Sequence, residues 1–128
     1  MGATPDRAAS AAALRAYFRI CKAWGLRSDE EIVLLGRPRA RTYSGWKANP
    51  ERASLGRDTL ERISYVLGIY KALQVLLPDA GSADAWIRKP NAAAIFGGGS
   101  PLERMLAGNV GDLHVVRNFL DTLKAGGD

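Results

Sequence analysis

The sequence predicts an all-α fold in two lobes. A helix-turn-helix-like N-terminal lobe, residues 1–80, is joined by a long helix to a small helical C-terminal lobe, residues 81–128. Three observations predict it. Apolar residues recur at the three-to-four-residue spacing of helix faces. Glycine or proline follows each such run. Ser28-Asp29-Glu30-Glu31 and Ser100-Pro101-Leu102-Glu103 have the form of capping boxes that open helices.

The first helix spans Pro5 to Ala23, after a frayed Met1 to Thr4. Leu14, Tyr17, Phe18 and Cys21 form its apolar stripe, and Gly25 ends it. Within that stripe Cys21 reads as a small buried hydrophobe. The helix opened by Ser28 is short, and Gly36-Arg37-Pro38 forces a turn. Another short helix runs from Arg39 to Lys47 and stops at Asn49-Pro50. Two short helices about a tight glycine-containing turn make a helix-turn-helix pattern, whose second helix enters the major groove of DNA. The expected DNA-binding residues are Arg37 at its approach and Arg39, Arg41, Tyr43, Ser44 and Lys47 along its outward face. Gly45 is out of place in a helix, and Trp46 is expected in the core.

Gly56 to Leu77 form the longest helix. Leu60, Ile63, Leu67 and Tyr70 give one stripe, widened by Val66, Leu73 and Leu77. Ile69, Val75 and Leu76 leave little polar surface late in the helix, which is expected of a spine that also serves as a homodimer surface. A short helix from Ala83 to Arg88 follows, then one from Pro101 to Leu106, then the last from Val110 to Lys124. Leu113, Val116, Leu120 and Leu123 share one face of that last helix, with Phe119 and His114 beside it.

The least generic stretch is Trp86 to Met105, WIRKPNAAAIFGGGSPLERM. Pro90 stops one helix, three glycines allow a tight connection, and Ser100 restarts the chain as helix. Pro101 and Leu102 stand where a phosphate-binding loop needs a lysine and a hydroxyl, so no phosphate cradle is expected. Trp86, Arg88 and Phe96 are residue types enriched at protein interfaces.

Charge separates the lobes. Residues 1–80 hold thirteen Lys and Arg against eight Asp and Glu, which is the whole excess of +5; residues 81–128 hold five of each. A basic first lobe points to a nucleic-acid partner for that lobe alone. A single cysteine excludes an intramolecular disulfide, and one histidine argues against a Cys/His metal site. No apolar run approaches a membrane span and no signal peptide is present, so a cytoplasmic protein is expected. No nucleophile with a base, paired carboxylates or metal spacing emerges, so neither enzymatic activity nor a cofactor is expected.

Two segments carry a resemblance. RDTLERISYVLGIYKALQVLLPD, residues 57–79, and AWIRKPNAAAIFGGGSPLERMLAGNVGDLHVVRNFLDTL, residues 85–123, resemble antitoxins that couple an Xre-like helix-turn-helix lobe to the Xre/MbcA/ParS toxin-binding domain. In the second segment the match rests on Trp86, Pro90, Asn91, Phe96, Gly97, the Ser100-Pro101-Leu102 helix start, Leu106 and Gly108. The resemblance covers roughly residues 25–128 and the first helix less clearly. It implies an antitoxin of a bacterial type II toxin-antitoxin system, whose partner is a RES-domain toxin that degrades NAD+. It also implies dimerisation and repression of its own operon through operator DNA. The residues it marks for toxin binding are Trp86, Arg88, Lys89, Asn91 and Phe96. With them goes the tail, Lys124 with Gly126, Gly127 and Asp128, which would close the toxin's cleft. The rival expectation is a stand-alone helix-turn-helix transcription regulator without a toxin.

Overall fold

The computed structural model describes residues 7–126. Seven α-helices follow one another among those residues, with no strand. They are α1 (Arg7–Trp24), α2 (Ser28–Leu34), α3 (Ala40–Ala48), α4 (Arg57–Leu76), α5 (Ala80–Ala85), α6 (Pro101–Met105) and α7 (Val110–Lys124). Three short 3₁₀ turns, Pro50–Arg52, Trp86–Arg88 and Ala94–Phe96, lie between them. The expected start of α1 at Pro5, the expected fraying of Met1 to Thr4, and the tail residues Gly127 and Asp128 lie outside the described residues.

The spine is α4, which packs against α1 on one side and α7 on the other. Its buried apolar residues are Ile63, Val66, Ile69, Ala72 and Leu73. Leu60, Leu67 and Tyr70, expected at the centre of its stripe, are only half-buried. The buried set is turned from the expected one because α4 must serve two neighbours. Gly68 faces α7, and a Cβ there would meet the Arg117 side chain at 2.5 Å. From α1, Leu14, Tyr17, Ile20, Cys21 and Trp24 enter the same core, as do Leu113, Val116 and Leu120 from α7.

The turns use glycine where the backbone demands it. Gly25 ends α1 at φ +64, and the amide of Leu26 donates back to the Cys21 carbonyl at 3.0 Å. Gly36 at φ +90 does the same after α2, where the Arg37 amide donates to the Ile32 carbonyl at 3.0 Å. This is the Schellman arrangement, which satisfies the last carbonyls of a helix. Arg37 itself is left-handed at φ +61, the one such residue besides glycines among those described.

Two helix starts differ from expectation. The cap of α2 is Arg27, whose amide donates to Glu30 Oε1 at 2.9 Å, so Ser28 is already the first helical residue. Asp79 caps α5, accepting from the Ser82 amide at 2.9 Å, ahead of the expected start at Ala83. Ala80 to Arg88 is consequently a helix that tightens to 3₁₀ at Trp86. The Ser100–Glu103 box forms as read, with Ser100 N donating to Glu103 Oε1 at 2.9 Å and Glu103 N to Ser100 Oγ at 3.1 Å.

Candidate functional site

Two surfaces collect the expected site residues, one on each lobe. The first is α3. Arg39, Ala40, Arg41, Thr42, Ser44, Gly45, Lys47 and Ala48 are exposed, while Trp46 is half-buried. At 100° per residue, Arg41, Gly45 and Ala48 stand opposite Tyr43, with Ser44 about a quarter turn from it. Gly45 therefore lies on the outward face, and a Cβ added there would meet nothing within 4 Å. Its role is not packing inside the chain.

Tyr43 departs from the expected DNA-facing set. Its side chain is buried at 3 % exposure, and its hydroxyl donates to Glu31 Oε1. Burial, then the bond to the Glu31 carboxylate, raises the phenol far above its ordinary pKa, so it stays a donor. Lys47 Nζ reaches the same Oε1 at 3.1 Å. The Tyr17 hydroxyl donates to the Glu31 carbonyl oxygen at 2.6 Å. Glu31 thus ties α1, α2 and α3 together. Arg37 is exposed in the turn before α3, and its guanidinium lies over Gly108, so that a Cβ on Gly108 would collide with it. Its side chain thus faces the seam between the lobes.

That seam has a second arginine. Arg62, on α4, is buried at 8 % exposure. Its Nε donates to Asp58 at 2.9 Å and its Nη1 to the Gly108 carbonyl at 3.0 Å. Sequence reasoning missed Arg62, because its acceptor is a backbone oxygen 46 residues away.

The second surface is built around the aromatic residues of the C-terminal lobe. Trp86 is half-buried, with its ring 6.1 Å from Phe96 and 6.4 Å from Phe119; Phe96 and Phe119 stand 5.3 Å apart. Phe96, expected at a partner surface, is buried in its own lobe. Arg88, expected to meet the toxin, donates to the Gly25 carbonyl at 2.8 Å and the Trp24 carbonyl at 3.3 Å, and lies 3.5 Å from Glu30. It caps α1 and pins one lobe to the other. Asn91 closes the glycine loop: its amide donates to the Gly99 carbonyl at 3.0 Å, and its Oδ1 accepts from Ala93 at 2.9 Å. Gly97 and Gly98 supply φ +56 and φ +89 inside that loop. Lys89 is exposed. Lys124, 3.9 Å from Asp121, ends α7, and Gly126 turns the chain at φ +80.

Arg104 fixes the loop against α7, through Ile95 O at 2.7 Å and Asp112 Oδ1 at 2.8 Å. The result is an open groove of about 360 Å³ along the outer face of α7, lined by Ile95, His114, Val115, Asn118, Phe119, Thr122 and Leu123. Leu123, read as the end of the internal stripe, is 40 % exposed at the groove's rim. A groove of apolar floor with amide and hydroxyl edges suits a protein segment better than a charged metabolite. Among the described residues no cluster of three or more His, Cys, Asp or Glu side chains stands ready for a metal, and no helix is long and apolar enough to cross a membrane.

Residues 4–68 match the model of the antitoxin Xre-like helix-turn-helix domain, and residues 72–126 that of the antitoxin Xre/MbcA/ParS C-terminal toxin-binding domain. The first match takes in α1, beyond the extent that the sequence resemblance suggested. The uncharacterized protein y4oB of Sinorhizobium fredii is 42 % identical over 127 residues, covering 98 % of this chain and 95 % of that protein. With both halves matched in order along one helical body, the chain belongs to the Xre-type antitoxins of toxin-antitoxin systems, a helix-turn-helix domain followed by a toxin-binding domain.

Proposed function

We propose that this antitoxin binds and silences a RES-domain toxin that degrades NAD+ in the bacterial cytoplasm, and that it represses its own operon. The observation that carries the toxin half is the apolar groove on α7, which lies inside the matched toxin-binding segment and extends along the helix to Leu123. Trp86 and Phe119 support the groove from beneath, Lys89 lies exposed on the same lobe, and the tail from Lys124 leaves the end of α7. In this reading the groove anchors the toxin and the tail carboxylates compete for cationic groups in its cleft.

The DNA half is supported by the confinement of the +5 charge to residues 1–80 and by the exposed Arg39, Arg41 and Ser44 on α3. Homodimerisation is supported by a groove of about 300 Å³ between α1 and α4, lined by Ala16, Arg19, Ile20, Leu67, Tyr70 and Lys71. Val75, 66 % exposed, extends apolar surface along α4.

The test is NAD+ consumption by a RES-domain toxin with the full chain and with a chain lacking residues 124–128. The full chain is expected to inhibit, and the truncated chain to bind but protect less. Equal inhibition by both moves the blocking role from the tail to the Arg88–Phe96 surface. No inhibition by the full chain refutes the toxin assignment.

A further inference from the structure

Glu31 has no part in either proposed contact surface, yet its side chain on α2 holds two residues of α3. Its side chain is buried, at 8 % exposure. One oxygen, Oε1, takes both the Tyr43 hydroxyl and the Lys47 ammonium, the latter at 3.1 Å. Tyr43 and Lys47 are four residues apart and so share one flank of α3. The ammonium lies 6.0 Å from the Phe18 ring centre and 5.8 Å from that of Tyr43. The carboxylate and the two nearby rings draw that cation toward α2, while the Lys47 side chain stays 50 % exposed.

We propose that Glu31 is a positioning residue for DNA binding: it fixes the rotation of α3 about its own axis and withdraws Lys47 from the phosphate contacts. This inference rests on the DNA-binding reading above. Two bonds from one side of α3 to a single oxygen on α2 leave the helix no freedom to roll. A roll by one residue, 100°, would replace Arg41, Ser44 and Gly45 on the outward face. A phosphate that drew Lys47 away would strand a buried carboxylate, which is costly. The Lys47–Glu31 pair is also neutral as a unit, so DNA binding releases no counterion on its account. The DNA-facing cations are then Arg39 and Arg41, not Lys47.

The experiment is the salt dependence of binding to a duplex of the chain's own promoter, with toxin inhibition and thermal midpoint as checks on the fold. Arg41→Ala should flatten the log–log slope by about one unit, as for one lost phosphate contact. Lys47→Ala should leave the slope at the wild-type value. Glu31→Gln keeps an oxygen for Tyr43 but frees Lys47, so the slope should steepen by about one unit. The double variant Glu31→Gln/Lys47→Ala should return it to wild type. Tyr43→Phe should weaken binding several-fold with no change of slope. A merely structural role for Glu31 cannot produce the steepening or its reversal. The inference is overturned if Lys47→Ala flattens the slope as Arg41→Ala does, or if Glu31→Gln leaves the slope unchanged. Absence of any wild-type shift, with toxin inhibition intact, removes the DNA reading and this inference together.

Discussion

Replacing Arg62 with alanine tests how the two domains are held together. Arg62 makes two bonds of different worth. Its bond to the Gly108 carbonyl is buried and charge-assisted, a class that contributes about 1.5–3 kcal/mol. Its pair with Asp58 ends on a carboxylate that is 62 % exposed, so screening holds it to about 0.2–1 kcal/mol. The buried stem adds packing that alanine lacks. Together these give an expected loss of about 2–4 kcal/mol in unfolding free energy for Arg62→Ala. With a urea m-value of about 2 kcal/mol/M, the midpoint should fall by roughly 1–2 M. Asp58→Asn should cost less than about 1 kcal/mol, because it removes only the screened bond. The assay is urea denaturation followed by helical circular dichroism and by the fluorescence of Trp24, Trp46 and Trp86, which report from both lobes. An Arg62→Ala loss below about 1 kcal/mol would refute the reasoning. So would an equal loss from Asp58→Asn, since the seam would then rest on the exposed pair.

Two further predictions follow from the core and from α3. Burial pushes the Cys21 thiol up to about 12, so alkylation of the native chain at pH 8 should be negligible, and rapid modification would contradict the burial. The same shift makes the protein sensitive to alkali: the folded state keeps its thiol proton where the unfolded state, near 9, has lost it, so stability present below pH 9 declines toward pH 12. The thiol alone accounts for about 1.4 kcal/mol per pH unit, and the raised phenols of Tyr17 and Tyr43 add to the fall at higher pH. Urea midpoints at pH 8 and 10 measure it, and Cys21→Ala should remove the thiol's share. Gly45→Ala should stabilise α3 by about 0.5–1 kcal/mol, since its site is exposed, helical and open. The same change should weaken promoter binding if the missing Cβ serves close approach to DNA. A denaturation curve with a gel-shift titration separates the two effects.

Where a helix buries one face and leaves the other to solvent, its pattern was readable. On α1, Leu14, Tyr17 and Cys21 are buried as the spacing indicates, and on α7 so are Leu113, Val116 and Leu120. The Ser100–Glu103 box was readable because its whole geometry is local. The spine was harder, because α4 is buried on two sides and its sequence is apolar nearly all round. Spacing then gives no phase, and only the partners choose Val66 and Ile69 over Leu67 and Tyr70. Tyr43 and Arg62 failed for a common reason. A polar group reads as surface until its acceptor is known, and those acceptors are Glu31, twelve residues back, and the Gly108 carbonyl, 46 residues on.

The same distinction decides which substitutions can probe the toxin surface. Arg88→Ala would uncap α1 and release Glu30, so a loss of inhibition would not show that Arg88 touches toxin. Phe96→Ala and Trp86→Ala would loosen the aromatic cluster beneath the groove and change its shape without touching its rim. Residues whose side chains the fold does not itself use are better probes. The Lys89 ammonium is exposed and makes no hydrogen bond or ion pair among the described residues. Leu123 stands at the rim of the groove, and Thr122 contributes only a bond to the Asn118 carbonyl within its own helix. Charge or bulk placed at those three positions leaves the core packing in place. A toxin that docks on α7 must register it, while a toxin held by the tail alone must not.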